Sequence, residues 1–179
     1  MSIWTESAIL DGMDWLELAV RLLPDGRFVL LSPVEIRHKK RALIDDVKRD
    51  TAFKLLAKFE ADLNAEFRAS IWSPSKERPY AIELKQTFMK RWRTDQHRRR
   101  KKSHVERLFG PEDILAVLRD HLKSPNPTAS SACSHLRGLF RHFRNWYAHG
   151  RYGNSDSDWP DPRELAREIR HVKAALSIP

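Results

Sequence analysis

The chain contains one cysteine, Cys133, which excludes an internal disulfide framework and a cysteine-based zinc site of the usual ligand count. Its uninterrupted apolar runs, Phe28-Val29-Leu30-Leu31 among them, are far short of a bilayer span. The opening residues carry Glu6, Asp11, Asp14 and Glu17, where a secretory leader needs positive charge followed by an apolar stretch. Most of His38, His97, His104, His121, His135 and His171 lack carboxylates at metal-ligand spacing, so no metal and no cofactor is expected. Neither an internal repeat nor a clear linker divides the 179 residues, about one domain's length. These absences predict a single domain over 1–179 in a reducing compartment, cytoplasmic and off the membrane.

What is present is charge. The composition is 41% hydrophobic and 32% charged, enough apolar residue for a core under a charged surface and too much for wholesale disorder. Lys and Arg number 33 against 24 Asp and Glu, a net charge of +9 that points to a polyanionic partner. The excess is local. Lys85 to Arg107 holds ten cations against Asp95 and Glu106, or +8 of the total, with Phe88 and Trp92 interleaved. Clustered cations neutralise phosphates and release counterions, and an aromatic face stacks on an unpaired base. Lys90, Arg91, Arg93, Arg98, Arg99, Arg100, Lys101 and Lys102 are therefore candidate RNA contacts. A solvated loop that keeps the chain soluble, or a nuclear-localisation patch, has the same composition.

Apolar spacing predicts helices almost throughout. Ile9, Leu10, Met13, Leu16, Ala19, Val20 and Leu23 recur at helical steps between Thr5 and Leu23. Arg27 to Leu31 reads as one short strand or a buried connector. Ser32-Pro33-Val34-Glu35 is a capping box that opens a long helix, whose stripe is Ile36, Leu43, Val47, Phe53, Leu56, Phe59, Leu63, Phe67 and Ile71. Further helices are predicted over Tyr80–Trp92, from Gly110-Pro111 to about Leu122, from Ser130 or Ser131 to Gly150, and from a second capping box at Asp161-Pro162-Arg163-Glu164. The fold class is all-α, a bundle of four to six helices with a basic insertion at about 80–108.

The chemistry-bearing stretch is Arg141-His142-Phe143-Arg144-Asn145-Trp146-Tyr147-Ala148-His149-Gly150-Arg151-Tyr152. Arg144 and His149 are five steps apart, roughly 7.5 Å along a helix, and converge only at a helix end or across a symmetric contact. The negative end of the macrodipole favours a protonated imidazole there. Such a histidine exchanges a proton near neutral pH, and an arginine stabilises charge developing on phosphorus. Taken singly, His149 reads equally as a helix-end cap and Arg144 as an ion-pair partner.

Arg144-Asn145-Trp146-Tyr147-Ala148-His149-Gly150 resembles the signature of the HEPN superfamily, small helical domains of prokaryotic toxin–antitoxin, abortive-infection and CRISPR systems and of some eukaryotic RNases. That signature is Arg, four to six residues, then His, on a late helix, often written Arg-Asn…Ala-His-Gly. The match covers seven of the 179 residues. The resemblance implies a metal-independent endoribonuclease, a homodimer whose two Arg…His pairs share one cleft. In it the ribose 2′-hydroxyl attacks the adjacent phosphate, leaving a 2′,3′-cyclic phosphate and a 5′-hydroxyl. Carried over, His149 is the general acid/base, Arg144 the phosphate ligand, and Asn145 orients one of them. By position beside the motif, Arg141 and Arg151 are candidate RNA contacts, Arg141 equally a solvated surface residue, and Glu60, beside Phe59 on the long helix, is a supporting carboxylate or a solvent position. The implied partners are RNA, tRNA or mRNA, and a cognate antitoxin. In the subgroup controlled by adenylylation a tyrosine sits two residues after the histidine; here that residue is Arg151, and Tyr152 is one step late. The alternative is a non-catalytic nucleic-acid-binding or protein-interaction module.

Overall fold

In the computed structural model of the protein, residues 5–28, 30–72, 78–96, 109–148 and 159–178 are described, with side chains at all of them except 95–96 and 143–148. These residues form six α-helices and no strand: α1 (Glu6–Leu22), α2 (Pro33–Trp72), α3 (Pro79–Gln96), α4 (Pro111–Leu122), α5 (Pro127–Ala148) and α6 (Pro162–Leu176). The fold is all-α, as the spacing of apolar residues predicts. The chain divides into two compact units, Met1–Lys58 with Asp156–Ala166, and Phe59–Ser155 with Arg167–Pro179. The break between them falls inside α2 and again inside α6.

The first unit begins with a capped helix. Thr5 Oγ1 accepts from Ala8 N at 3.1 Å, and Glu6 and Arg21 sit at the ends where the macrodipole favours them. Of the apolar stripe expected on α1, Ile9 and Met13 are buried, whereas Leu16 is exposed, as are Trp15, Leu18 and Leu22 on its other faces. The described residues of the segment, Arg27, Phe28, Leu30 and Leu31, form neither a strand nor a buried connector. A 3₁₀ turn (Asp25–Arg27) is followed by a bond from Leu31 N to the Phe28 carbonyl at 3.1 Å. Leu30 then takes a left-handed φ of 76° and stands 98% exposed. With no strand to pair with among the described residues, local turns bond this backbone. The Ser32 box is reciprocal, with Ser32 N donating to Glu35 Oε2 at 2.7 Å and Glu35 N to Ser32 Oγ at 3.4 Å. Hydrogen bonding to Ser32 holds the Glu35 carboxyl below its ordinary range. Asp161 caps α6 by accepting from Arg163 N at 2.9 Å, and Arg163 pairs with Asp14 of α1 at 2.6 Å.

The second unit carries the predicted site. Phe59, Leu63, Phe67 and Ile71 follow one another at four-residue steps on α2, and all are buried. Phe67 stacks on Phe109 at 4.7 Å and meets Phe88 of α3 edge-on at 5.7 Å. Leu165, Ile169, Val172 and Leu176, the stripe expected on α6, are all buried; the last three belong to this unit. Cys133 is fully buried on α5, and burial pushes its thiol up to about 12, as a core residue and not a nucleophile.

Helix α5 starts earlier than Ser130. Asn126 Oδ1 accepts from Ala129 N at 3.1 Å and Pro127 occupies the first turn, an N-cap followed by the one residue that lacks an amide to satisfy. Ser130, freed from capping, donates instead to the Arg119 carbonyl of α4 at 2.9 Å. A polar knot closes the unit. Glu66 on α2 receives two bonds from Arg78 Nη1, at 2.8 and 2.9 Å, and the Tyr80 hydroxyl lies 2.9 Å from Glu66 and 3.1 Å from the Leu176 carbonyl. Burial and the adjacent carboxylate push the Tyr80 phenol up to about 12.

Candidate functional site

Of the residues singled out by sequence, those that are described lie in the second unit: in the last turns of α5, on α3, and, for Glu60, on α2. On α5, Leu136 and Phe140 are buried, and Phe140 stacks on Phe59 of α2 with ring centroids 6.3 Å apart. Arg144 follows Phe140 by four residues, so its backbone lies in register with the stretch where α5 meets α2. Arg144 and Asn145 thus belong to the final described turns of the fifth of six described helices. Glu60, next to Phe59, is half-buried on the same stretch of α2. His149, Arg151 and Tyr152 lie outside the described residues, as do Arg98, Arg99, Arg100, Lys101 and Lys102.

Arg141 and His142, one turn before Arg144, are both exposed. The Arg141 side chain is 3.8 Å from the Glu112 carboxylate of α4, a loose and solvent-facing ion pair. Such a pair exchanges readily for a phosphate, because little is lost when its arginine turns to another anion.

Helix α3 is amphipathic. Tyr80, Ala81, Leu84 and Phe88 are buried, and the opposite side lines an open groove of about 650 Å³ formed by Ile82, Lys85, Gln86, Met89, Lys90, Arg93 and Thr94. Sequence reasoning grouped Lys90, Arg91 and Arg93 as equivalent RNA contacts, and the structure separates them. Lys90 and Arg93 line the groove. Arg91 is committed elsewhere, bonded to Asp113 of α4 at 2.7 Å with its guanidinium 5.8 Å from the centre of the Phe109 ring. It ties α3 to α4, so its charge is already matched. Lys85 and the apolar pair Ile82 and Met89 were missed as groove residues. The signal was available in the helical steps 82, 85, 89 and 93, hidden by counting charge along the sequence and not around the helix.

Among the described residues, no three His, Cys, Asp or Glu side chains converge to hold a metal ion. Two histidines are paired with carboxylates, His121 with Glu83 at 2.9 Å and His135 with Glu168 at 2.7 Å, both between neighbouring helices of this unit. No helix among the described residues is long and apolar enough to cross a membrane. Comparison with family models, with curated proteins and with solved structures finds no match to the chain.

Proposed function

We propose that the protein is a metal-independent endoribonuclease of the HEPN type, the effector of a toxin–antitoxin or phage-defence system, acting in the cytoplasm as a homodimer. The supporting observation is the position of Arg144 and Asn145. They lie in the final described turns of the penultimate described helix of an all-α chain, directly beyond the Phe140–Phe59 contact that fixes α5 against α2. In this reading one His149 takes the proton from the ribose 2′-hydroxyl as its oxygen bonds to phosphorus. The bond from phosphorus to the 5′-oxygen breaks, and that oxygen is protonated by the other protomer's His149. Arg144 balances the charge that grows on the non-bridging oxygens, where a fixed cation contributes most. Asn145 orients one of the pair, and Glu60 lies on the facing helix as a supporting carboxylate.

A second reading, a non-catalytic RNA-binding or protein-interaction module, draws on the cationic groove of α3, which is built without reference to α5. Expression of the wild type against His149→Ala separates the two. Growth arrest with RNA breakdown that disappears in His149→Ala supports the enzyme. Salt-sensitive RNA binding that is unchanged in His149→Ala, without breakdown in either, supports the module.

A further inference from the structure

Three cations, Lys85, Lys90 and Arg93, line the groove on α3. From Lys85 to Lys90 the axis rises roughly 7.5 Å, and from Lys90 to Arg93 roughly 4.5 Å. Among the described residues none of the three has an ion-pair partner, in contrast to Arg91 on the same helix. Met89 and Ile82 lie between and beside them, and Ile82 is 41% exposed although it belongs to a helix with a fully formed core face. Cations unpaired among the described residues, with apolar surface between them, answer to a ligand that repeats in charge and carries flat apolar faces.

We propose that this face of α3 is a binding subsite for a single strand of RNA, with successive phosphates on Lys85, Lys90 and Arg93 and a base against Met89 and Ile82. The choice of RNA among polyanions rests on the ribonuclease reading; the choice of a single strand rests on the groove. A reader of duplex RNA spans about 16 base pairs over two minor grooves. Three cations within roughly 12 Å of helix are too short a track for that. Apolar surface meets nothing on a duplex backbone, whereas an unstacked base covers it. A volume of about 650 Å³ is the size of a pocket for a small ligand, enough for one or two nucleotides. The subsite positions a strand and takes no part in bond breaking, so it adds affinity and register to the cleft on α5.

The test is fluorescence anisotropy with a 12-nucleotide 2′-O-methyl oligouridylate, whose blocked 2′-oxygen cannot be cleaved, beside a 12-base-pair RNA duplex and a poly-glutamate peptide. Wild type is compared with Lys85→Gln/Lys90→Gln/Arg93→Gln and with Arg37→Gln/Lys39→Gln/Arg41→Gln, which removes the same charge from exposed positions on α2. For single-strand contacts the salt slope is about −0.7 per phosphate, so the α3 triple flattens it by about 2. That corresponds to about 20-fold of affinity between 50 and 200 mM salt. The α2 triple leaves the slope within about 0.7 of wild type, the equivalent of one contact. If the α3 triple does not fold, Lys90→Gln alone is expected to flatten the slope by about 0.7. Equal loss in both triples overturns the subsite, as does a duplex that binds as tightly as the single strand. Binding of the peptide in place of RNA also overturns it and makes the groove a contact for an acidic protein. Strand binding through α3 without cleavage of unmodified RNA removes the ribonuclease reading and leaves the subsite. Wild-type cleavage and binding by the α3 triple does the reverse.

Discussion

Tyr80→Phe removes one oxygen from the centre of the second unit. Tyr80 is 3% exposed, and its hydroxyl stands between Glu66 on α2 and the Leu176 carbonyl at the end of α6. Phenylalanine fills the same space, so no cavity opens. The loss is the hydrogen bond, about 1.5–3 kcal/mol when the acceptor is charged. The cost expected at pH 7 is about 2 kcal/mol. Burial first, and the bond to Glu66 second, push the phenol from 10.0 up to about 12. The pH dependence has a fixed sign. Because the folded-state value is raised, the contribution is complete below pH 10 and drains away as pH climbs through 12. Paired urea titrations of wild type and Tyr80→Phe at pH 7, 9, 10.5 and 11.5 are expected to converge at the highest pH. A difference below about 0.5 kcal/mol at pH 7, or one that stays constant to pH 11.5, refutes the role given to this hydroxyl.

Three further outcomes follow from the packing. Cys133, its thiol pushed up to about 12 by burial, is expected to resist dithionitrobenzoate in the native protein at pH 8 and to react fully in urea; rapid native reaction contradicts its burial. Ile169→Ala, at a fully buried position on α6, is expected to cost about 2–5 kcal/mol in denaturant unfolding; a cost near zero means that α6 does not dock as described. Ser32→Ala removes the acceptor of the Glu35 amide and the main hydrogen bond that lowers the Glu35 carboxyl. That carboxyl is expected to titrate closer to the ordinary range by NMR, and the stability lost on acidification, as pH falls through its folded value, is smaller than in wild type; an unmoved Glu35 rules out the box.

The helices were legible because their signals are local. Ser32 and Glu35 are three residues apart, and Asp161 precedes Pro162, so cap and helix are read from one window. The same is true of Asn126-Pro127, where two adjacent serines drew attention away from a better cap. Arg27 to Leu31 was misread because four apolar residues look alike whether they pair, bury or turn outward. Leu30 turns outward at a left-handed φ. The candidate site was legible in part for the same reason. Arg144 and Asn145 are proposed from their neighbours in sequence. Which cations of the basic stretch face a groove depends on Asp113 and Phe109, some twenty residues from Arg91, which hold it against the start of α4. The exposure of Trp15, Leu18 and Leu22 was not legible either, since α1 is apolar on more than one side and only Ile9 and Met13 find buried positions.

The central claim is that Arg144 and His149 cleave RNA, and a cleavage assay in excess EDTA tests it most directly. Wild type, Arg144→Ala and His149→Ala are incubated with end-labelled tRNA and a mixed-sequence RNA, and the ends are identified chemically. Cleavage by wild type alone, with 2′,3′-cyclic phosphate and 5′-hydroxyl ends, is the expected result. Equal cleavage by all three, or none by any of them while RNA is still bound, contradicts it.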